Sequence, residues 1–179
     1  MSLRPDQSET YWALDRLGRV QLSRHFCMRQ FLHSEIAVIT GINNTPDDPD
    51  LAIETGSRLC AEILEPLIVH YGPIVIRSGF RSAKLNDYGH QHGLQCAANI
   101  RNFAYHIWDH VDASGHQGAA ACIIIPSVRD APDQRAALED LIGFIRSNLD
   151  FHRLTFFRRD TAFNIGWHEE PSRVVKRAQ

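Results

Sequence analysis

"HVDASGHQGAAACIIIP", residues 110–126, is the stretch on which the fold turns. Two histidines and an aspartate lead through small residues into a cysteine and three isoleucines. "AAACIII" is apolar throughout, so it reads as a strand buried on both faces or lying in a sheet centre. Pro126 ends it, because a proline cannot donate to a strand ladder. The loop before it is either a metal-binding turn feeding that strand or an ordinary connection, and the functional question follows that choice.

Upstream, the β-branched run in "PIVIRSGFRS" reads as a short strand. Residues 83–118 between the two strands form an irregular insert, with a helix expected near 94–108. Within it, His106 and His110 stand at i, i+4 spacing, a workable metal pair on a helix, but there is no HExxH glutamate between them. His90 and His92 in "GHQHG" read as a polar turn. Residues 51–71 are the strongest helix: Leu59, Ile63 and Leu67 recur every four residues. Asp50 is placed to cap it, Pro66 should kink or loosen it, and Gly72-Pro73 ends it. Residues 1–21 form an N-terminal segment with a short helix in "ETYWALDRLGR".

Downstream, "PDQRAALEDLIGFIRSNL" is an amphipathic helix with Leu138, Leu141, Ile142 and Ile145 on one face. "HRLTFFRR" and "AFNIGWHEE" read as strands joined by a short polar turn, hence an antiparallel hairpin. Residues 172–179 read as a polar tail. This order predicts one α+β domain over 1–179, with helices packed on a small, mostly antiparallel sheet.

Composition narrows the function classes. Apolar residues make up 44% and charged residues 22%, as in ordinary globular domains. A net charge of −2 gives generic nucleic-acid binding no electrostatic support. No apolar run approaches the roughly 20 residues a membrane helix needs. The N-terminus is polar and reads as lacking an export signal. The four cysteines are scattered without a CxxC pair, which suits reduced thiols and a cytoplasmic setting. There is no GxxxxGK phosphate loop and no GxSxG elbow. Oligomeric state is not encoded in any of these features.

"LSRHFCMRQFLHSEIAVITGINNTP", "EILEPLIVHYGPIVIRSGFRS" and the "LN" after it resemble the zinc D-alanyl-D-alanine carboxypeptidase family, whose fold is shared with the hedgehog signalling domain. The similarity runs from about residue 22 to 86 and returns at "GHQGAAACIII" and "IGWHEE". The resemblance implies one Zn²⁺ held by histidine, aspartate and histidine, a water in the fourth position, and an acidic residue as base. It implies bacterial cell-wall peptides as substrates, with an arginine on the terminal carboxylate.

Carried over by position, Arg81 matches that arginine, with Arg77 and Ser78 nearby to assist. A guanidinium fits a carboxylate bidentately, as lysine cannot. The alternative is that Arg81 ties down a structural carboxylate. His168 matches the last zinc histidine, or is a hydrogen-bonded histidine of the fold. The family aspartate falls on Cys122, and the first histidine falls on Gly115, one residue from His116. A zinc set of His116, Cys122 and His168 follows, since thiolate is a good zinc ligand; otherwise Cys122 is a small buried hydrophobe. His110 and Asp112 join it if the loop folds back. The base position is Ile165, which cannot take a proton. Glu169 should face away from His168, and Glu170 should share its face.

The expected function is therefore a diverged zinc-dependent carboxypeptidase acting on wall peptides, of phage type given the absent export signal. The alternatives are a non-catalytic module holding a peptide or small carboxylate ligand, and a structural scaffold.

Overall fold

The computed structural model describes residues 5–157 and 161–177. Helices α1 (Pro5–Gly18), α2 (Arg29–Leu32) and α3 (Glu35–Thr40) lead into α4 (Pro49–Leu59). Asp48, not Asp50, caps α4: its side chain accepts from the Leu51 amide, and Pro49 takes the first helical position, where no N–H is needed. A π turn (Cys60–Leu64) joins α4 to α5 (Glu65–Tyr71). In that turn the Glu65 amide reaches back to the Cys60 carbonyl. The widened turn just before Pro66 relieves the clash of its ring with the carbonyl four residues earlier. Leu59, Ile63 and Leu67 are completely buried along this helical run.

The sheet comprises β1 (Val75–Ser78), β2 (Gly118–Ile124), β3 (Arg153–Phe156), β4 (Phe163–His168) and β5 (Val174–Arg177), in the order β1-β2-β4-β3-β5. The α+β class is as expected, but the sheet is mixed. The β1–β2, β2–β4 and β3–β4 pairs are antiparallel, whereas β5 runs parallel to β3. β5 lies in the segment expected to be a polar tail. Val175 packs toward the core while its neighbours stay exposed, an alternation that suits a short edge strand. The polar turn between β3 and β4 lies largely outside the described residues.

The two faces of the sheet differ. Ala119, Ala121 and Ile123 of β2, Phe163, Ile165 and Trp167 of β4, and Leu154 of β3 enter the hydrophobic core. Leu59, Ile63 and Leu64 cover that face, together with Leu141 and Ile145 of helix α9 (Gln134–Asn148). Across the opposite face lies the insert. It contains α6 (Ala83–Gln91) and α7 (Asn99–Asn102), and of the helix expected near 94–108 only the single turn of α7 forms. Asparagines compete with the longer helix: Asn86 Nδ2 donates to Asn99 Oδ1 at 2.7 Å, and Asn102 Nδ2 donates to Asn86 Oδ1 at 2.8 Å. Ala104 then adopts a positive φ of 52°. After β2, α8 (Pro126–Arg129) is a single turn begun by the proline that stops the strand.

Candidate functional site

Strand register lines up the polar face. Ser78 pairs with Cys122, Cys122 with Asn164, Asn164 with Thr155, and Thr155 with Lys176. Directly paired residues share a face, so these five form one polar row across all five strands. The next pairs along the ladder on this face are Ala120–Gly166 and Gly118–His168.

Ala104 and Tyr105 of the insert lie against this end of the sheet, and two glycines admit them. A Cβ on Gly118 would stand 2.2 Å from the Ala104 carbonyl oxygen. One on Gly166 would stand 2.9 Å from the Tyr105 ring. The contact is tied down by backbone bonds: Ala120 N–H donates to the Tyr105 carbonyl at 2.7 Å, and Arg81 N–H donates to the His106 carbonyl at 2.8 Å. The loop bearing Arg81 is thereby fixed to the insert.

Between insert and sheet lies a cleft of about 730 Å³, within the size range of small-molecule sites. Arg81, Tyr105, His106, Arg153, Thr155 and Asn164 line one end, and Asp112, His152 and His168 the other. Arg101 and Lys176 also face it. Three buried side-chain atoms among the described residues have no hydrogen-bond partner: Tyr105 Oη, His106 Nε2 and Asn164 Oδ1. All three residues line this cleft. Buried polar atoms are ordinarily satisfied, so three together are an exception with a location.

Their chemistry can be assigned. His106 Nδ1 is 3.0 Å from the Gly79 carbonyl, which can only accept, so Nδ1 carries the proton and Nε2 offers a bare lone pair. Burial, reinforced by the Arg81 charge, pushes the His106 pKa down to about 3, so the ring is neutral. Burial pushes the Tyr105 hydroxyl up to about 12, leaving it a donor that faces Thr155 without completing a bond. Arg153 lies over the Tyr105 ring, 4.8 Å from its centroid. Arg81 is aimed by the insert: its Nη1 donates to Asn86 Oδ1 at 3.2 Å and to Cys96 Sγ at 2.8 Å.

At the other end, Asp112 accepts from the backbone amides of Ser114 and His116, at 2.8 and 2.9 Å. Those bonds, led by His116, hold its carboxyl below the usual range. His168 Nδ1 lies 3.0 Å from both the amide and the carbonyl of Glu170, and its Nε2 faces Asp112 Oδ2 at 3.4 Å. His152 stacks on His168 with ring centroids 4.4 Å apart, and burial pushes the His152 pKa down to about 4.

The residues expected to act together are only partly gathered. Arg81 and His168 face one cleft. His116 lies near His168, with ring centroids 5.9 Å apart and Nδ1 3.8 Å from Asp112. Cys122 does not join them. It sits across from Asn164, while His168 sits across from Gly118, four residues back along β2 or roughly 13 Å of strand. Cys122 instead lines an adjoining hollow with Arg77, Ser78, Arg81 and Cys96, and burial pushes its thiol up to about 11. The zinc set His116, Cys122 and His168 is therefore not assembled. No group of three or more metal-binding side chains among the described residues is arranged to hold an ion.

Ile165, at the base position, is completely buried on the core face. Glu169 accepts from the Gln117 amide at 2.7 Å, and Glu170 approaches His116 Nε2 at 3.4 Å with its side chain 76% exposed. His110 stacks on Phe103 at 4.8 Å and pairs with Asp109, away from His106. His106 stands out in the sequence only as half of a metal pair with His110, and Tyr105, Arg153, Thr155, Asn164 and Lys176 do not stand out there as ligand-binding residues. Of the latter, Asn164 alone leaves a trace, as one amide inside the apolar strand "AFNIGW".

No family model, curated protein or solved structure matches the chain.

Proposed function

We propose that this protein is a non-catalytic module that binds a peptide by its terminal carboxylate, on a fold of the zinc D-alanyl-D-alanine carboxypeptidase type. The observation that carries the reading is the convergence of Tyr105 Oη, His106 Nε2 and Asn164 Oδ1, all unpartnered, with Arg81 on one cleft. The set is complementary to a chain end. Arg81 and the Tyr105 hydroxyl are donors for a carboxylate, and the two lone acceptors suit the N–H of the amide beside it. The ligand class implied by the family resemblance is a cell-wall peptide ending in D-alanine. Ile165 in place of a base removes acid–base assistance worth on the order of 10²- to 10⁴-fold in rate, which favours binding over turnover.

The test is a calorimetric titration with acetyl-D-alanyl-D-alanine and with its C-terminal amide. The acid should bind, the amide should bind at least tenfold more weakly, and Arg81→Lys should lose most of that difference. Equal binding of acid and amide would sink the reading.

The second reading is a zinc-dependent hydrolase of wall peptides. The observation in its favour is that Asp112 stands between His116 and His168. Metal analysis of protein purified without added zinc separates the two. Stoichiometric zinc lost in His168→Ala would favour the hydrolase.

A further inference from the structure

Arg81, Arg101, Arg153 and Lys176 come from four separate parts of the chain, yet all face one cleft. The chain as a whole is slightly acidic, at −2, so this gathering is not a by-product of a basic protein. One carboxylate, Asp112, lines the cleft with them, and it already accepts from two backbone amides. A single terminal carboxylate, held by Arg81, leaves the positive charge on the β3–β5 side unanswered.

The register says where that charge lies. Thr155 is flanked by Asn164 on β4 and by Lys176 on β5. Arg153, two residues earlier on β3, shares the face of Thr155. Neighbouring strands are about 4.8 Å apart, so Lys176 stands roughly 10 Å from Asn164, or two to three residues of extended ligand. Lys176 is exposed on an edge strand, and its fold role is met by the backbone pairing of β5.

The geometry points to a second acid-binding subsite formed by Arg153, Thr155 and Lys176. It would take an acidic side chain one or two residues from the C-terminus of the peptide. This rests on the carboxylate-binding reading above and narrows its ligand class to acidic peptides. Arg153 and Lys176 supply charge, and the Thr155 hydroxyl supplies a donor between them.

Two matched peptides test it on the full chain: acetyl-Glu-D-Ala and acetyl-Gln-D-Ala, which differ only in the second acid. The glutamate peptide should bind about tenfold tighter at low salt, with the advantage shrinking as salt rises. Lys176→Met, which keeps the apolar stem, should lower the glutamate peptide toward the glutamine peptide and leave the latter unchanged. Equal affinity of the two peptides for the unmodified protein would overturn the subsite and leave carboxylate binding standing. Equal weakening of both by Lys176→Met would also overturn it. Binding of neither peptide would overturn the subsite together with the function it rests on.

Discussion

Gly118 and Ala104 meet so closely that the missing Cβ of Gly118 would stand 2.2 Å from the Ala104 carbonyl oxygen. That oxygen is backbone and cannot swing away. Gly118→Ala must therefore displace the insert or the start of β2. The expected cost is about 3 kcal/mol, at the upper end for overpacking. Urea denaturation would measure it, and a loss below about 1 kcal/mol would mean that the insert is not held against the sheet as described.

Gly143 is the converse case. It lies inside α9, and an added Cβ would meet nothing within 4 Å. Gly143→Ala should stabilise the protein by about 0.5–1 kcal/mol through helix propensity and a less flexible unfolded chain. A destabilised variant would show that α9 is packed differently on that side.

Asn164 should trade stability for binding. Its Oδ1 is buried without a partner, a situation that costs about 1–3 kcal/mol. Asn164→Leu has nearly the same shape and no polar atom. It should raise the melting temperature while weakening the binding of acetyl-D-alanyl-D-alanine by about tenfold. If the variant melts lower, Asn164 is structural, and the cleft loses one of its three unpartnered groups.

Much of the fold was legible because periodicity and β-branching report local geometry. Leu59, Ile63 and Leu67 marked one buried helical stripe, and "AAACIII" marked a strand lying within the sheet. Three features were not legible. The insert carries helical spacing at His106 and His110, but its asparagines bond to one another and draw the backbone out of the helix. The last residues look polar, yet Val174–Arg177 gains a strand because β3 has a free edge. The polar row depends on register, and a shift of one residue would turn Asn164 into the core. Alignment by family pattern brought Cys122 and His168 together. The ladder sets them about 13 Å apart along β2, because Gly118, not Cys122, stands opposite His168. Arg81 is singled out by the sequence because its loop carries a compact motif, and it lines the cleft. The groups around it come from the insert and three strands, and no short motif joins them.

Acid should destabilise the fold through two histidines of the cleft. Burial lowers the His106 pKa from 6.5 to about 3 and the His152 pKa from 6.5 to about 4. In the unfolded chain both take a proton below about pH 6.5, whereas in the fold both stay neutral until far lower pH. The unfolded state therefore binds more protons as pH falls, and stability drops through the window from 6.5 toward 4. His106 is the cleaner probe, since it is almost fully buried and its Nδ1–H is held by Gly79. One proton taken up only on unfolding costs about 1.4 kcal/mol per pH unit, so His106 alone contributes roughly 2–3 kcal/mol of loss between pH 6.5 and 4.5. Urea midpoints measured across that range should fall steeply for the unmodified protein and less steeply for His106→Gln, which keeps a donor for Gly79 but does not titrate. Parallel slopes for the two proteins would show that His106 is protonated in the folded state and that its Nε2 is not the lone acceptor the cleft requires.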